Sequence, residues 1–93
     1  MNIEISRTFE KDVNPLPKHS KTIILRVINE IQSAKNPLEI EECSKLKGTD
    51  NLYKIRRGNY RITFDYNGFF AILKRVLPRG QIYIIYILYT NYI

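Results

Sequence analysis

The chain has 93 residues, enough for one small domain that buries about 60–65% of the surface its unfolded form exposes, which excludes a second core and a deep, enclosed active site. Its 44% apolar and 26% charged residues exclude a disordered chain, while one cysteine (Cys43) and one histidine (His19) exclude an internal disulfide and a Cys/His metal centre. The net charge of +6 is concentrated: residues 45–79 hold nine Lys and Arg against two acids, Asp50 and Asp65, a field that points to a polyanionic partner, nucleic acid before membrane.

Ile3 and Ile5 alternate with Asn2 and Glu4, which predicts a short first strand. The opening Met-Asn-Ile-Glu-Ile-Ser has no basic start followed by an apolar run, so no secretory signal is expected. Phe9, Val13 and Leu16 follow at helical spacing, predicting a short helix over about 7–13 that Asn14-Pro15 breaks. Pro17 suits the first turn of a second helix, in which Ile24, Val27, Ile28 and Ile31 form a core-facing stripe. Pro37 ends that helix, since the residue before a proline avoids helical geometry. Glu39 to Ser44 reads as an acidic connector, and His19 and Cys43 as a solvated helix-start residue and a small half-buried filler.

From Leu46 the pattern turns to strands. Leu52 to Arg57 and Tyr60 to Tyr66 each alternate, and Gly58-Asn59 between them suits a type II′ hairpin turn. Asn67-Gly68 reads as a type I′ turn into a third strand, Phe69 to Leu77, which sets Ile62 near Leu73 and Arg61 near Lys74. Beyond Pro78 and Gly80 the strand-like pattern resumes at Ile82, with tyrosines at 83, 86, 89 and 92. The apolar stretch Ile82 to Ile93 is 12 residues, broken by Thr90 and Asn91, against about 20 for a membrane span. A cytoplasmic protein with no membrane partner is expected. The fold class is α+β, in β-α-α-β-β-β order: two N-terminal helices on one face of an antiparallel twisted sheet, as a single domain over 1–93.

The first hairpin gives the basic residues a direction. A Gly58-Asn59 turn pairs Arg57 with Tyr60, Arg56 with Arg61, Ile55 with Ile62, Lys54 with Thr63 and Tyr53 with Phe64. One face is then apolar, and the other carries Lys54, Arg56 and Arg61. Like charges directly opposite destabilise a sheet, so a sequence selected for stability alone would not place two arginines there. A phosphate as the missing counter-ion explains them; a solvated outer face with splayed side chains is the competing reading.

The run Lys45-Leu46-Lys47-Gly48, then Leu52-Tyr53-Lys54-Ile55-Arg56, Gly58-Asn59-Tyr60-Arg61-Ile62 and finally Val76-Leu77-Pro78-Arg79-Gly80-Gln81-Ile82-Tyr83, resembles the RelE/ParE toxin superfamily over about residues 3–83. The resemblance implies a RelE-like α+β toxin of a type II toxin–antitoxin system, bound by an acidic RelB-like antitoxin. RelE-type members are ribosome-dependent mRNA endonucleases, whereas ParE-type members share the fold and inhibit DNA gyrase. By motif position, Lys54, Arg56, Arg61, Arg79 and Tyr83 match the RelE-type catalytic residues. Lys45, Lys47, Arg57, Lys74 and Arg75 are expected to contact RNA. Leu77-Pro78 departs from the pattern, where relatives often have Gly followed by His or Lys, which removes a further cation or base and stiffens the approach to Arg79.

These residue types imply metal-independent cleavage by 2′-OH attack, with no cofactor. Tyr83 or Lys54 is the candidate base, Arg61 and Arg79 stabilise the pentacovalent phosphate, and Arg56 or Lys54 serves the leaving 5′-oxygen. Arg is a poor acid because it holds its proton, so reliance on the ribosome and its mRNA to supply geometry is physically sensible. A gyrase-inhibiting toxin without nuclease activity, or an inactive basic nucleic-acid-binding module, remains the alternative.

Overall fold

The computed structural model describes residues 1–80. Its elements are β1 (Asn2–Ile5), α1 (Arg7–Val13), α2 (Lys18–Ser33), a 3-10 turn (Pro37–Glu39), β2 (Cys43–Lys45), β3 (Leu52–Arg57), β4 (Tyr60–Tyr66) and β5 (Phe70–Pro78). The α+β class and the packing of both helices against the sheet match the sequence-based expectation. The sheet itself is mixed, in the order β1-β5-β4-β3-β2. β1 runs parallel to β5, and the other three pairings are antiparallel. β2 lies within and just beyond the segment expected to be a plain connector; three residues are too few for alternation to register.

Local chemistry sets the helix limits. Ser6 caps α1, its Oγ accepting from the Phe9 N–H at 3.1 Å, the bond a serine cap supplies. The same hydroxyl donates to the Lys74 carbonyl at 3.3 Å, so the cap also ties α1 to β5. Pro17 stands at the N-cap of α2 rather than inside it, and its carbonyl accepts from the Lys21 N–H at 3.0 Å. α2 buries Ser20, Ile24, Val27 and Ile31. Among the described residues no helix is long and apolar enough to cross a membrane.

The core lies between helices and sheet. Phe9, Ile24, Val27 and Ile31 meet Ile55, Ile62, Phe64, Ala71, Leu73 and Val76. Tyr53 stacks on Phe64 with ring centroids 5.5 Å apart. Two polar contacts from α2 anchor the β3–β4 hairpin: Tyr60 donates to Ser20 Oγ at 2.8 Å, and Arg57 pairs with Glu30. α2 therefore holds the hairpin that carries the basic face.

Candidate nucleic-acid interface

The β3–β4 register is the one its turn dictates. Arg57 pairs with Tyr60, Arg56 with Arg61, Ile55 with Ile62, Lys54 with Thr63 and Tyr53 with Phe64. Gly58 takes φ 53°, and Glu42 is the one described non-glycine residue at positive φ, so only the first central turn residue is left-handed, as type II′ requires. Tyr53, Ile55, Ile62 and Phe64 accordingly face the helices, and Lys54, Arg56 and Arg61 share the opposite face. That face is not wholly solvated, because Leu52, Thr63 and Leu77 are buried on it.

The two opposed arginines are drawn apart by different partners. Arg56 forms an ion pair with Glu42 at 2.8 Å. Arg61 curls over the turn, its Nη1 donating to the Gly58 and Tyr60 carbonyls at 3.0 and 2.9 Å. These contacts offset the repulsion that the cross-strand position alone creates.

β5 does not follow the expected register. Ile62 pairs with Val76 and Arg61 with Leu77, instead of Leu73 and Lys74. The connection takes three residues, Asn67 to Phe69, rather than two, and the Asn67 side chain accepts from the N–H groups of Phe69 and Phe70, both at 2.9 Å. A bulge then shifts the pairing once more between Thr63 and Phe64. The combined displacement carries β5 to the tip of the first hairpin. Pro78 sits opposite Tyr60, and the Arg79 N–H donates to the Asn59 carbonyl at 2.7 Å.

Arg79 consequently joins Arg56 and Arg61 in one open cleft of about 440 Å³, with Arg57, the Gly58 backbone, Glu41 and Glu42 completing its lining. Four arginines and two glutamates thus line a hollow of net positive charge at the end of the sheet. Preorganised cations around an open cleft suit a phosphate diester, which a fork of N–H donors binds bidentately. Among the described residues no three His, Cys, Asp or Glu side chains come together as a metal-binding group.

The model of the ParE toxin of type II toxin–antitoxin systems matches residues 3–83. A toxin named RelE3 from Methanocaldococcus jannaschii is 38% identical over 84 residues, covering 89% of this chain and 96% of that protein. This chain belongs to the ParE toxin family, within the RelE/ParE superfamily. The toxin fold extends to solved structures. A RelB-RelE antitoxin–toxin complex from Methanococcus jannaschii matches with a TM-score of 0.73 at 37% identity, over 88% of this chain and 96% of the other. An archaeal RelE-RelB complex from Pyrococcus horikoshii matches with a TM-score of 0.70 at 25% identity, over 86% and 96%.

Within this toxin fold the remaining candidates separate. Lys54 lies half-buried two pairs along from Arg56, opposite Thr63, beside the cleft rather than in its lining. Arg57 lines the cleft but is held by Glu30 and by the Glu41 carbonyl. Arg75 is held bidentately by Asp12, at 2.7 and 3.2 Å. Register puts Lys45 opposite Tyr53, on the helix-facing side. Lys47 is exposed in the loop after β2, and Lys74 is half-buried on β5. Tyr83 lies outside the described residues. Sequence reasoning missed Glu42, whose backbone takes φ 58°. That left-handed conformation costs a side-chain-bearing residue on the order of 1–2 kcal/mol. The acidic run was legible, but nothing in it signalled that Glu42 would turn back onto Arg56. The Cys43 thiol is pushed up to about 11 by burial, against an opposing pull from Arg57, so it is protonated at neutral pH.

Proposed function

We propose that this toxin is a ribosome-dependent mRNA endonuclease, acting through attack of a ribose 2′-OH on the adjacent phosphate. The observation that carries the reading is the meeting of Arg56, Arg61 and Arg79 in one open cleft. In this mechanism the 2′-oxygen bonds to phosphorus, the P–O5′ bond breaks, and the products are a 2′,3′-cyclic phosphate and a free 5′-OH. Arg61 and Arg79 hold the non-bridging oxygens as negative charge builds on them, the electrostatic contribution such donors make. Arg56 leaves Glu42 for the phosphate, and Lys54 or Arg56 serves the leaving oxygen. Lys54 or Tyr83 takes the 2′-OH proton. Because arginine holds its proton too firmly to be an efficient acid, alignment of the mRNA by the ribosome supplies much of the rate.

The partner in the resting cell is an acidic RelB-like antitoxin. Support comes from the two archaeal relatives solved as complexes with RelB and from the positive cleft, which an acidic segment would neutralise. A second reading, inhibition of DNA gyrase, is favoured by the ParE description of the matching family.

Primer extension on mRNA held in programmed ribosomes separates the two. The nuclease reading predicts discrete breaks with wild-type protein, and their loss in Arg61→Ala and Arg79→Ala chains that still fold. Intact mRNA with wild-type protein, together with gyrase-dependent DNA breaks, would establish the second reading.

A further inference from the structure

We propose that Asp12 is a positioning residue for Arg79, acting by locking the bulge in β5; this rests on the nuclease reading for its functional consequence. β1 pairs with β5 only as far as Leu73. Beyond that point α1 takes over the edge. One Asp12 oxygen, Oδ2, accepts from the Val76 N–H at 2.9 Å and from Arg75 Nε at 2.7 Å, and the other accepts from Arg75 Nη2 at 3.2 Å. The residues held are the two that follow the register shift, in which Phe64 pairs with Leu73 but Thr63 with Arg75.

The shift decides which way Arg79 faces. Ala71 and Leu73 point into the core before the bulge, and Val76 points into it afterwards, so the core-facing positions change from odd to even numbers. A one-residue slip sends every later side chain to the other face. With the bulge, Arg79 lies opposite Asn59 and enters the cleft with Arg61. Without it, Arg79 would sit opposite Gly58 and turn toward the helix side, and Val76 would leave the core. A bulge that re-aims a side chain beside a functional site is a recurrent use of this feature. Here a carboxylate on a separate element fixes it.

The test uses the full chain and, as probe, a single-stranded oligoribonucleotide with 2′-O-methyl sugars, which cannot undergo 2′-OH attack. Arg79→Ala should weaken binding about tenfold, the scale of one lost charge-assisted contact. Asp12→Ala should weaken it about three- to tenfold in the wild-type background and by less than about twofold when Arg79 is already alanine, the signature of residues acting as one unit. Asp12→Asn, which keeps the shape and loses the charge against Arg75, covers the case in which the alanine chain does not fold. Independently of RNA, amide exchange at Val76 and Arg79 should accelerate in the Asp12 variants, and the Ile62–Val76 cross-strand contact should weaken by NMR. Unchanged exchange and an unchanged Ile62–Val76 contact would overturn the inference, as would equal binding losses in both backgrounds. If Arg79→Ala binds as tightly as wild type, the phosphate-site reading fails, and the exchange result alone decides whether Asp12 sets the position of Arg79.

Discussion

Glu42→Gln isolates the charge that sits nearest the candidate phosphate site. The Glu42–Arg56 pair closes to 2.8 Å with the two side chains 48% and 58% exposed, so water screens it to about 0.2–1 kcal/mol. A phosphate that takes Arg56 must first displace this carboxylate. Removing it should therefore tighten RNA binding by up to about fivefold, the factor corresponding to the upper end of that range. Salt dependence gives a second reading of the same event. Arg56 neutralises the same phosphate in both chains, so the number of cations released from the RNA, and with it the slope of log affinity against log salt, should stay the same while the affinity rises. Fluorescence anisotropy with the uncleavable oligoribonucleotide, between about 50 and 200 mM salt, measures both quantities. Glutamine keeps the side-chain length and the left-handed backbone, so strain is held constant. An unchanged affinity would refute the assignment of Arg56 to the phosphate.

Phe64 is fully buried and stacks on Tyr53, so Phe64→Ala should cost about 3–5 kcal/mol of stability by denaturant titration. Ser6→Ala removes the α1 cap and the tie to the Lys74 carbonyl, and should cost about 1 kcal/mol in the same assay. Burial raises the Cys43 pKa from 9.0 to about 11; the folded chain therefore holds this proton more tightly than the unfolded one. Stability from this source is complete below pH 9 and is lost as pH climbs toward 11, and a pH-stability profile of Cys43→Ala should lack that decline.

What the sequence disclosed divides along local and non-local lines. The β3–β4 register was legible because a two-residue turn fixes it and both flanking strands alternate. The second helix was equally legible from its isoleucine and valine stripe and the proline beyond it. The position of Arg79 was not, because it depends on the Asn67 side chain widening a turn and on a bulge held by Asp12, more than sixty residues away in the chain. The parallel pairing of β1 with β5 joins the first strand to the last described one, a contact that no short-range pattern encodes. Among the candidate site residues, chemistry singled out the arginines as a group, and geometry sorted them: Arg57 and Arg75 have carboxylate partners within the fold, whereas Arg61 and Arg79 line the cleft.

The most direct measurement of the central claim is an NMR titration that follows the arginine Nε–H signals of the full chain as the uncleavable oligoribonucleotide is added. One shared phosphate site predicts that Arg56, Arg61 and Arg79 move together with a single dissociation constant while Arg75 stays still. Three unrelated dissociation constants, or a response led by Arg75, would contradict it.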